Sequence, residues 1–321
     1  MKILVTGGAG FIGSNFVHFF LEVYPNDSIV NLDKLTYAGG IDNLENLKGD
    51  SRHKFVKGDI SDVKLVNDIL DSGIDAVVNF AAETHVDRSI QESRTFVETD
   101  VLGTLTLLDV CRRHKIPRYV QISTDEVYGS MSDGYLDENA NLNPSSPYSA
   151  SKASADMLVM SYWTTHHLPV LIIRCTNNFG PYQFPEKIIP LFITNALEDK
   201  KVPMYGDGKY IRDWLYVEDC CRAVDIVLRK GKDGEVYNAA GRNEVDNLTL
   251  TRKILSLLGK PETLIDFVAN RPGHDRRYAI NDAKLRDKLS WKPVISFDEG
   301  LKHTVNWYEE HGDWWKKRVA S

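Results

Sequence analysis

Five side chains capable of proton chemistry are grouped around one predicted strand end. A hydroxyl and two carboxyl groups, on Thr124, Asp125 and Glu126, follow an apolar run that predicts a buried strand. In open α/β sheets ligands bind beyond the carboxyl ends of the strands, so these groups lie where reacting groups are expected. Tyr148 and Lys152 are four residues apart and project from one face of a predicted helix. An ammonium near a phenol lowers the pKa of the phenol from about 10, which predicts a general base.

A glycine-rich run near the start of the chain predicts a dinucleotide-binding loop. Gly8, Gly10 and Gly13 satisfy the spacing G-x-G-x-x-G, and Gly7, Gly10 and Gly13 satisfy G-x-x-G-x-x-G. The run follows a short apolar strand and precedes an amphipathic helix, which is the context that such a loop requires. Glycines permit a tight turn and a close approach of backbone N–H groups to a pyrophosphate. The alternative is a glycine-rich turn without a ligand.

Asp33 ends the second predicted strand, 20 residues after Gly13. A carboxylate at this place accepts hydrogen bonds from ribose hydroxyls and repels a 2′-phosphate, which favours NAD over NADP. Capping of the following turn would explain Asp33 equally well. Asp59, at the end of the third strand, is a candidate for the adenine end of the cofactor or a turn residue, and Ala81 and Ala82 would let a flat ring or a pyrophosphate pass close to the backbone.

Together these features predict a redox enzyme with additional acid/base chemistry. A dehydrogenase needs a nicotinamide and a base on the substrate hydroxyl, which Tyr148 and Lys152 would supply beside a hydroxyl donor such as Thr124. Asp125 and Glu126 exceed that need. Two further proton carriers favour a second acid/base step on the same substrate after its oxidation.

The remaining pattern predicts an α/β fold with a doubly wound, mostly parallel Rossmann sheet and a smaller α/β C-terminal substrate lobe. Strand and helix patterns alternate through residue 167, after which prolines break the rhythm. We expect residues 1–175 to form the NAD-binding part, with segments near 213–240 returning to it, and residues 176–321 to form mainly the substrate-binding lobe. Six cations of this region, if they converge, would suit an anionic ligand; solvated surface is the alternative. They are Arg174, Lys187, Arg212, Arg271, Arg276 and Arg277.

Composition excludes several classes of partner. The 321 residues carry a formal net charge of −6, with 42% hydrophobic and 26% charged residues and no long basic run, which argues against nucleic acid. The four cysteines show no metal-ligand spacing, so no metal site is predicted. A strand pattern that begins at Lys2 and the lack of a long apolar run predict a cytoplasmic protein without a membrane segment.

The sequence resembles the extended short-chain dehydrogenase/reductase superfamily and, within its nucleotide-sugar branch, the dTDP-glucose 4,6-dehydratases of rhamnose biosynthesis. The glycine loop and the Tyr/Lys pair specify only the superfamily. Narrower motifs are Ser123-Thr-Asp-Glu-Val-Tyr-Gly129, Arg174-Cys-Thr-Asn-Asn-Phe-Gly-Pro-Tyr182, Ile211-Arg-Asp-Trp214 and Arg271-Pro-Gly-His274. The resemblance implies NAD as cofactor, a nucleotide-sugar substrate, a homodimer and an internal redox dehydration.

In that reaction the resemblance gives each catalytic residue a role. Tyr148, with Lys152, takes the proton from the C4 hydroxyl of glucose, and Thr124 binds the resulting ketone. Glu126 removes the C5 proton, which is acidic only beside a C4 ketone. Asp125 protonates the departing C6 hydroxyl, for which its pKa must be raised.

The resemblance also assigns binding residues position by position. Those implied for the cofactor are Gly7, Gly10, Phe11, Ile12, Gly13, Asp33, Lys34, Leu35, Thr36, Asp59, Ile60, Phe80, Ala81, Ala82, Thr99, Tyr148, Lys152 and Asn178. Those implied for the substrate are Thr84, Thr124, Asn177, Lys187, Ile188, Pro203, Met204, Tyr205, Arg212, Asn247, Asn270, Arg271, Pro272, Gly273 and His274. The chain departs from the family at Thr84, usually serine, at Asn270, usually aspartate, and at Cys220, often histidine.

Three alternatives to this function stay open. A UDP-sugar 4-epimerase would share the glycine loop and the Tyr/Lys pair but needs no Asp-Glu pair after the threonine. A dehydratase of a UDP-, CDP- or GDP-hexose would use the same chemistry with another base pocket. A non-catalytic NAD-binding regulator would be expected to lose the reactive side chains, all of which are present.

Overall fold

A computed structural model of the chain describes residues 1–270 and 272–319. Arg271, a predicted substrate residue, lies outside the described residues. Strands and helices alternate through the first half of the chain, and twelve strands form three sheets within the described residues. Among those residues no helix combines the length and the apolar character needed to cross a bilayer.

The central sheet has seven strands, all parallel, in the order β10-β6-β5-β4-β1-β2-β3. The fold class predicted from the alternating pattern is confirmed. The strand order reverses at β1, so that the crossover helices cover both faces. The seven strands are β1 (Lys2–Thr6), β2 (Ser28–Asp33), β3 (His53–Lys57), β4 (Ala76–Asn79), β5 (Tyr119–Thr124), β6 (Val170–Cys175) and β10 (Glu235–Ala239).

Helices pack on the two faces of this sheet through separate apolar cores. One core joins the sheet to α1, α8 and α10, and the other joins it to α2, α5 and α6. The helices are α1 (Phe11–Val23), α2 (Val63–Leu70), α3 (Val86–Gln91), α4 (Arg94–Phe96), α5 (Thr104–His114), α6 (Pro147–His166), α7 (Ile188–Leu197), α8 (Val217–Lys230), α9 (Asn247–Leu257), α10 (Ala283–Leu289), α11 (Phe297–Glu310) and α12 (Gly312–Val319).

Three element predictions differ from the structure. The sequence pattern predicts a helix from about Ser61, with Ser61 as its N-cap, but the Asp62 carboxylate caps α2. The helix predicted over 94–114 contains a π-helical stretch, Val97–Gly103, between α4 and α5. The final helix predicted over 297–319 is divided at His311 into α11 and α12.

The region after β6 holds a third apolar core. It surrounds two small sheets, β11-β9-β7 and β12-β8, together with α7, α9, α11 and α12. Their strands are β7 (Asn177–Phe179), β8 (Val202–Tyr205), β9 (Ile211–Tyr216), β11 (Glu244–Asp246) and β12 (Ile265–Val268). β10 returns to the central sheet beside β6. The division of the chain near residue 175 by function stays a prediction.

The last helix reaches back to the start of the chain. The indole Nε1 of Trp314 donates a hydrogen bond to Asn43 Oδ1 at 2.9 Å. Asn43 Nδ2 in turn donates to the carbonyl oxygen of Ala9, in the glycine-rich run, at 2.8 Å. Arg318 forms an ion pair with Asp42 at 2.6 Å. One buried asparagine therefore connects α12 to the loop between β1 and α1.

Candidate active site

A cavity opens at the carboxyl edge of the central sheet, beyond the ends of β1, β2, β4, β5 and β6. All five predicted catalytic residues line it, and so do all predicted cofactor residues except Leu35. Of the predicted substrate residues, the cavity is lined by Thr84, Thr124, Asn177 and Lys187. Groups that are far apart in the sequence therefore meet around one space, as expected where parallel strands end together.

The backbone of the glycine loop leaves no room for side chains at two positions. Gly7 has φ +69°, and a Cβ there would lie 2.6 Å from the Ala81 nitrogen. A Cβ on Gly13 would lie 2.2 Å from the carbonyl oxygen of Gly7. α1 begins directly after Gly10 with no acidic residue in its first turn. This close-packed helix N-terminus fits the pyrophosphate of a dinucleotide, because its N–H groups and its dipole favour an anion.

Asp33 both caps its turn and lines the cavity. Its carboxylate accepts hydrogen bonds from the backbone N–H groups of Ala9 at 2.9 Å and Leu35 at 2.7 Å. Burial raises the pKa of Asp33, and these two hydrogen bonds oppose the rise. Leu35 has φ 56°, and its side chain packs against an apolar core instead of the cavity. The capping alternative and a ribose contact are therefore compatible at one residue.

The Lys34 ammonium lies 2.7 Å from the Asp59 carboxylate. Burial opposes ionisation of Asp59, but hydrogen bonds from Lys34 and Ser61 outweigh it and lower the pKa of Asp59. The charge of Lys34, next to Asp33 in the sequence, is therefore paired with Asp59 after β3.

Local sequence fixes the start of α6, which carries the Tyr/Lys pair. Ser146 and Ser149 form a reciprocal capping box around Pro147, the first helical residue. Such a cap satisfies the first N–H groups of the helix and defines where it begins. Tyr148 and Lys152 then fall one turn apart, both buried.

The contacts of Lys152 differ from the prediction. Its ammonium donates a hydrogen bond to the carbonyl oxygen of Ile122 at 2.8 Å. Burial raises the pKa of Tyr148 well above its usual value, and the charges of Glu126 and Asp100 add to the rise, while a hydrogen bond with Thr124 opposes it. The predicted lowering of the Tyr148 pKa is wrong for the protein alone, because burial and nearby acids dominate.

Thr124 is the last residue of β5 and caps a short 3-10 turn, Asp125–Tyr128, which contains Asp125 and Glu126. Thr124 Oγ1 accepts the Glu126 N–H at 3.2 Å and donates to Asp125 Oδ1 at 3.3 Å. Asp125 is 2% exposed, and within the described residues its Oδ2 has no hydrogen-bond partner. Burial raises the pKa of Asp125 well above its usual range, and the charges of Glu126 and Asp213 add to the rise. A protonated Asp125 beside Glu126 is an acid next to a base.

Sequence reasoning missed a tyrosine that approaches this pair. The Tyr278 hydroxyl donates to Asp275 Oδ2 at 2.6 Å and lies 3.5 Å from Glu126 Oε2. The guanidinium of Arg212 lies over the Tyr278 ring, 4.4 Å from its centroid. Burial raises the pKa of Tyr278, with Glu126 as the next cause. The Arg271-Pro-Gly-His274 motif, four residues before Tyr278, was the only feature of the sequence that could have drawn attention to this tyrosine.

The predicted substrate residues fall into two groups. In the first, the Lys187 ammonium donates to the Thr84 carbonyl oxygen at 2.5 Å, and Asn177 Oδ1 has no hydrogen-bond partner within the described residues. Both Lys187 and Asn177 line the cavity described above. This group can therefore contact a ligand directly beside the catalytic residues.

The second group lies outside the lining of that cavity, and several of its members surround an aromatic stack. The rings of Tyr210 and His274 are parallel, with centroids 3.8 Å apart, and Tyr205 contacts His274 edge-on. Asn270 Nδ2 donates to the Tyr210 hydroxyl at 2.5 Å, and Asn270 Oδ1 lies 2.7 Å from His274 Nδ1. The Met204 side chain is fully buried in the third core, so only its backbone is available to a ligand. The other members outside the cavity lining are Ile188, Pro203, Arg212, Asn247, Pro272 and Gly273.

The scattered cations do not converge on one anion site. Arg174, on β6, is buried in an ion pair with Asp156 of α6 at 2.8 Å. Arg276 pairs with Asp207 and Arg277 with Glu244. The hypothesis that all six would gather around an anionic ligand is wrong for these three, because each has an acid partner of its own.

A sequence profile described as GDP-mannose 4,6 dehydratase matches residues 4–304. A dTDP-glucose 4,6-dehydratase from Streptomyces antibioticus is 51% identical over 100% of this chain and 97% of its own length. A crystal structure of dTDP-glucose 4,6-dehydratase from Bacillus anthracis in complex with NAD is 49% identical, covers 99% of both chains and gives a TM-score of 0.94. The chain belongs to the dTDP-glucose 4,6-dehydratase family.

Within the dTDP-glucose 4,6-dehydratase family, a Streptomyces venezuelae enzyme solved with NAD and TYD bound is 47% identical, with a TM-score of 0.97 over 99% of this chain and 100% of that one. The departures from the family pattern have plain structural settings. Thr84 keeps a hydroxyl at the cavity, Asn270 holds Tyr210 and His274 together, and the buried Cys220 lies with its sulfur 3.5 Å from that of Cys175.

Proposed function

We propose that the chain converts dTDP-glucose to dTDP-4-keto-6-deoxyglucose with loss of water, as an NAD-dependent hydro-lyase. The observation that carries the proposal is the position of Asp125 and Glu126 in the same cavity as Tyr148, beyond the glycine loop. The relatives at about half identity over their full length are dTDP-glucose 4,6-dehydratases. NAD, when bound, supplies a reversible oxidant that takes a hydride from C4 of the sugar and returns it at C6.

The chain's own groups handle the protons. Tyr148 takes the proton of the C4 hydroxyl, and Thr124, which lines the same cavity, holds the oxygen that becomes the ketone. Glu126 removes the proton at C5. Asp125, whose pKa is raised by burial, gives its proton to the departing C6 hydroxyl. The raised pKa of Asp125 supports its role as the acid, since an ionised carboxylate could not donate.

The cofactor and substrate residues implied by the family keep their assignments as part of this proposal. Residues 1–175, with the segment that returns through β10, would hold NAD, and residues 176–321 would supply mainly the substrate contacts. The cavity supports this division, because residues from both parts of the chain line it. The aromatic stack of Tyr210 and His274, cross-linked by Asn270, is our candidate for the nucleotide end of the substrate.

A homodimer is a further proposal, supported by exposed apolar side chains near one surface. Val97, Leu102 and Met157 are 47%, 49% and 60% exposed on the π-helical stretch and α6, which pack against each other. We expect a dimer by sedimentation, and Leu102→Glu to shift it toward monomer. A monomeric wild-type protein would contradict this proposal. Cytoplasmic location and a place in rhamnose synthesis stay predictions.

One labelling experiment separates the proposal from its alternatives. The purified protein is incubated with dTDP-, UDP-, CDP- and GDP-glucose carrying deuterium at C4. Loss of one water with deuterium found at C6, and fastest turnover of the dTDP sugar, is the expected result. Inversion at C4 without loss of water would identify an epimerase, and dehydration of another nucleotide sugar would change the substrate. An unreacted panel would favour the non-catalytic alternative.

A further inference from the structure

Asp100 is a buried acid without a role in the mechanism above. It lies in the π-helical stretch Val97–Gly103 and is 1% exposed. Its neighbour in that stretch, Thr99, lines the cavity. π-Helical turns are rare and are found frequently at functional sites, because they displace one residue from the regular helical surface. The turn thus brings a carboxylate behind the cavity wall.

Both oxygens of Asp100 are engaged, each by a different neighbouring segment. Oδ1 accepts the backbone N–H of Glu83 at 2.9 Å, in the loop that follows β4. Oδ2 accepts the Ser151 hydroxyl at 2.6 Å, in α6. Ser151 directly precedes Lys152. One carboxylate therefore fastens the helical turn of the Tyr/Lys pair to the loop beside the cofactor residues Ala81 and Ala82.

Asp100 also faces the buried ammonium of Lys152, which is 4% exposed and hydrogen-bonded to a carbonyl. A buried ammonium requires an opposite charge nearby, and the Lys152 charge acts on Asp100. The titratable groups that face Asp100 from the elements packed against it are Lys152 and Tyr148 on α6 and Glu83 in the loop after β4. Lys152 is the one cation of this set.

We propose that Asp100 is a positioning residue of the reaction, whose carboxylate fixes the turn carrying Tyr148 and Lys152 and whose charge sets the pH at which Tyr148 becomes able to accept the substrate proton. This inference rests on the proposed function for its kinetic consequence. Burial raises the pKa of Asp100 to about 6, and Lys152 opposes the rise. The negative charge of Asp100 in turn raises the pKa of Tyr148.

The deciding variant is Asp100→Asn, which keeps the size and hydrogen-bonding capacity of the side chain and removes its charge. Without that charge the pKa of Tyr148 falls, so the acid limb of the kcat-against-pH profile should move to lower pH by roughly half a unit or more. Ser151→Ala keeps the charge of Asp100 and removes one of its hydrogen bonds. The acid limb of the pH profile of this variant should therefore stay in place while kcat falls. Asp282→Asn is the matched control, because Asp282 is equally buried but pairs with Arg242 away from the cavity.

An unmoved acid limb in Asp100→Asn, or an equal movement in Ser151→Ala or Asp282→Asn, would overturn the inference. If Asp100→Asn does not fold, Asp100→Glu replaces it: the charge is retained, so the limb should keep its wild-type pH at a lower kcat, and a moved limb would contradict the role. Ultraviolet difference titration of the Tyr148 phenol in the holoenzyme, against Tyr148→Phe, needs no substrate. It should show a lower midpoint in Asp100→Asn even if the assigned sugar proves wrong, and an unchanged midpoint would contradict the inference.

Discussion

Asp219 and Asp125 are both almost completely buried, but their surroundings differ in kind. Asp219, at the start of α8, is 0% exposed. Its Oδ1 accepts hydrogen bonds from the Arg222 guanidinium at 2.9 Å and from the Val294 N–H at 3.0 Å, and its Oδ2 accepts the Ile295 N–H at 2.9 Å. Asp125, at the end of β5, has the Thr124 hydroxyl on one oxygen, while the other has no partner within the described residues.

The difference is the one expected between a structural acid and the reactive acid that we propose. A buried carboxylate costs free energy unless it is paired and hydrogen-bonded, and Asp219 meets that requirement with a guanidinium and two backbone donors. Asp125 does not, and burial together with the charges of Glu126 and Asp213 raises its pKa. An unsatisfied carboxyl group at the edge of a cavity does not stabilise the fold, which supports the proposed chemical role of Asp125.

The largest effect should follow Asp125→Asn. The amide fills the same space but has no acidic proton, so the C6 hydroxyl leaves without assistance. We expect kcat for 4-keto-6-deoxy product to fall by about 10²–10⁴-fold, measured by product absorbance or mass spectrometry. The free energy of unfolding should not fall, since a charge-free side chain suits this site better. Near wild-type turnover would remove Asp125 from its role.

Glu126→Gln should produce a loss of similar order at a different step. The variant keeps Tyr148 and Thr124, so oxidation at C4 continues while the C5 proton stays in place. We expect the rate of dehydration to fall by about 10²-fold or more. The C4-oxidised sugar should be detectable by mass spectrometry after rapid quenching. Asp125→Asn is the matched comparison, because it retains the base and should still exchange the C5 proton with solvent. Unimpaired product formation by Glu126→Gln would contradict the assignment.

Asp219→Asn should show the reverse pattern. An amide leaves Arg222 without its buried counter-charge and offers one acceptor for three donors. The free energy of unfolding should fall by about 2–4 kcal/mol, measured by chemical denaturation. Turnover per folded molecule should stay near that of the wild type at temperatures below the unfolding transition. If activity disappeared without loss of stability, the division between the two aspartates would be wrong.

The smallest effect concerns pH. A carboxyl group whose pKa is raised in the folded state binds more protons there than in the unfolded state, so it stabilises the fold least at high pH. Its contribution is lost as pH rises from the usual value of 3.8 through the raised value. Asp125→Asn has no carboxyl group at this position, so it does not lose this contribution to stability as pH rises. Its stability advantage over the wild type should be absent near pH 3.5 and should grow toward neutrality, whereas an advantage independent of pH would exclude the charge as its cause.

The sequence predicted the groups whose roles depend on their neighbours along the chain. The glycine loop, Asp33, the Thr-Asp-Glu triplet and the Tyr/Lys spacing are local patterns on elements of the predicted kind, and one cavity contains them. The strand at 235–239 was also predicted to return to the central sheet, where it pairs with β6.

Contacts between distant segments could not be predicted. Tyr278 reaches Glu126 from 152 residues away. Arg174 was a candidate anion ligand, but its partner Asp156 is on a helix that only the tertiary fold brings near. The direction of the Tyr148 pKa depended on burial and on Asp100, neither of which a spacing of four residues can reveal. The π-helical stretch keeps the apolar pattern of an ordinary helix and so left no clear signal.

The hydrogen-bonded path from Trp314 through Asn43 to Ala9 has a practical consequence for how this enzyme can be divided. Through Asn43, α12 supports the loop between β1 and α1, which is the proposed site of the cofactor's phosphates. An N-terminal fragment without α12 would lack these hydrogen bonds. We expect it to bind the dinucleotide more weakly than the intact enzyme does. A fusion partner attached at or near α12 could disturb this path, so preparations whose cofactor retention is compared should not carry one there.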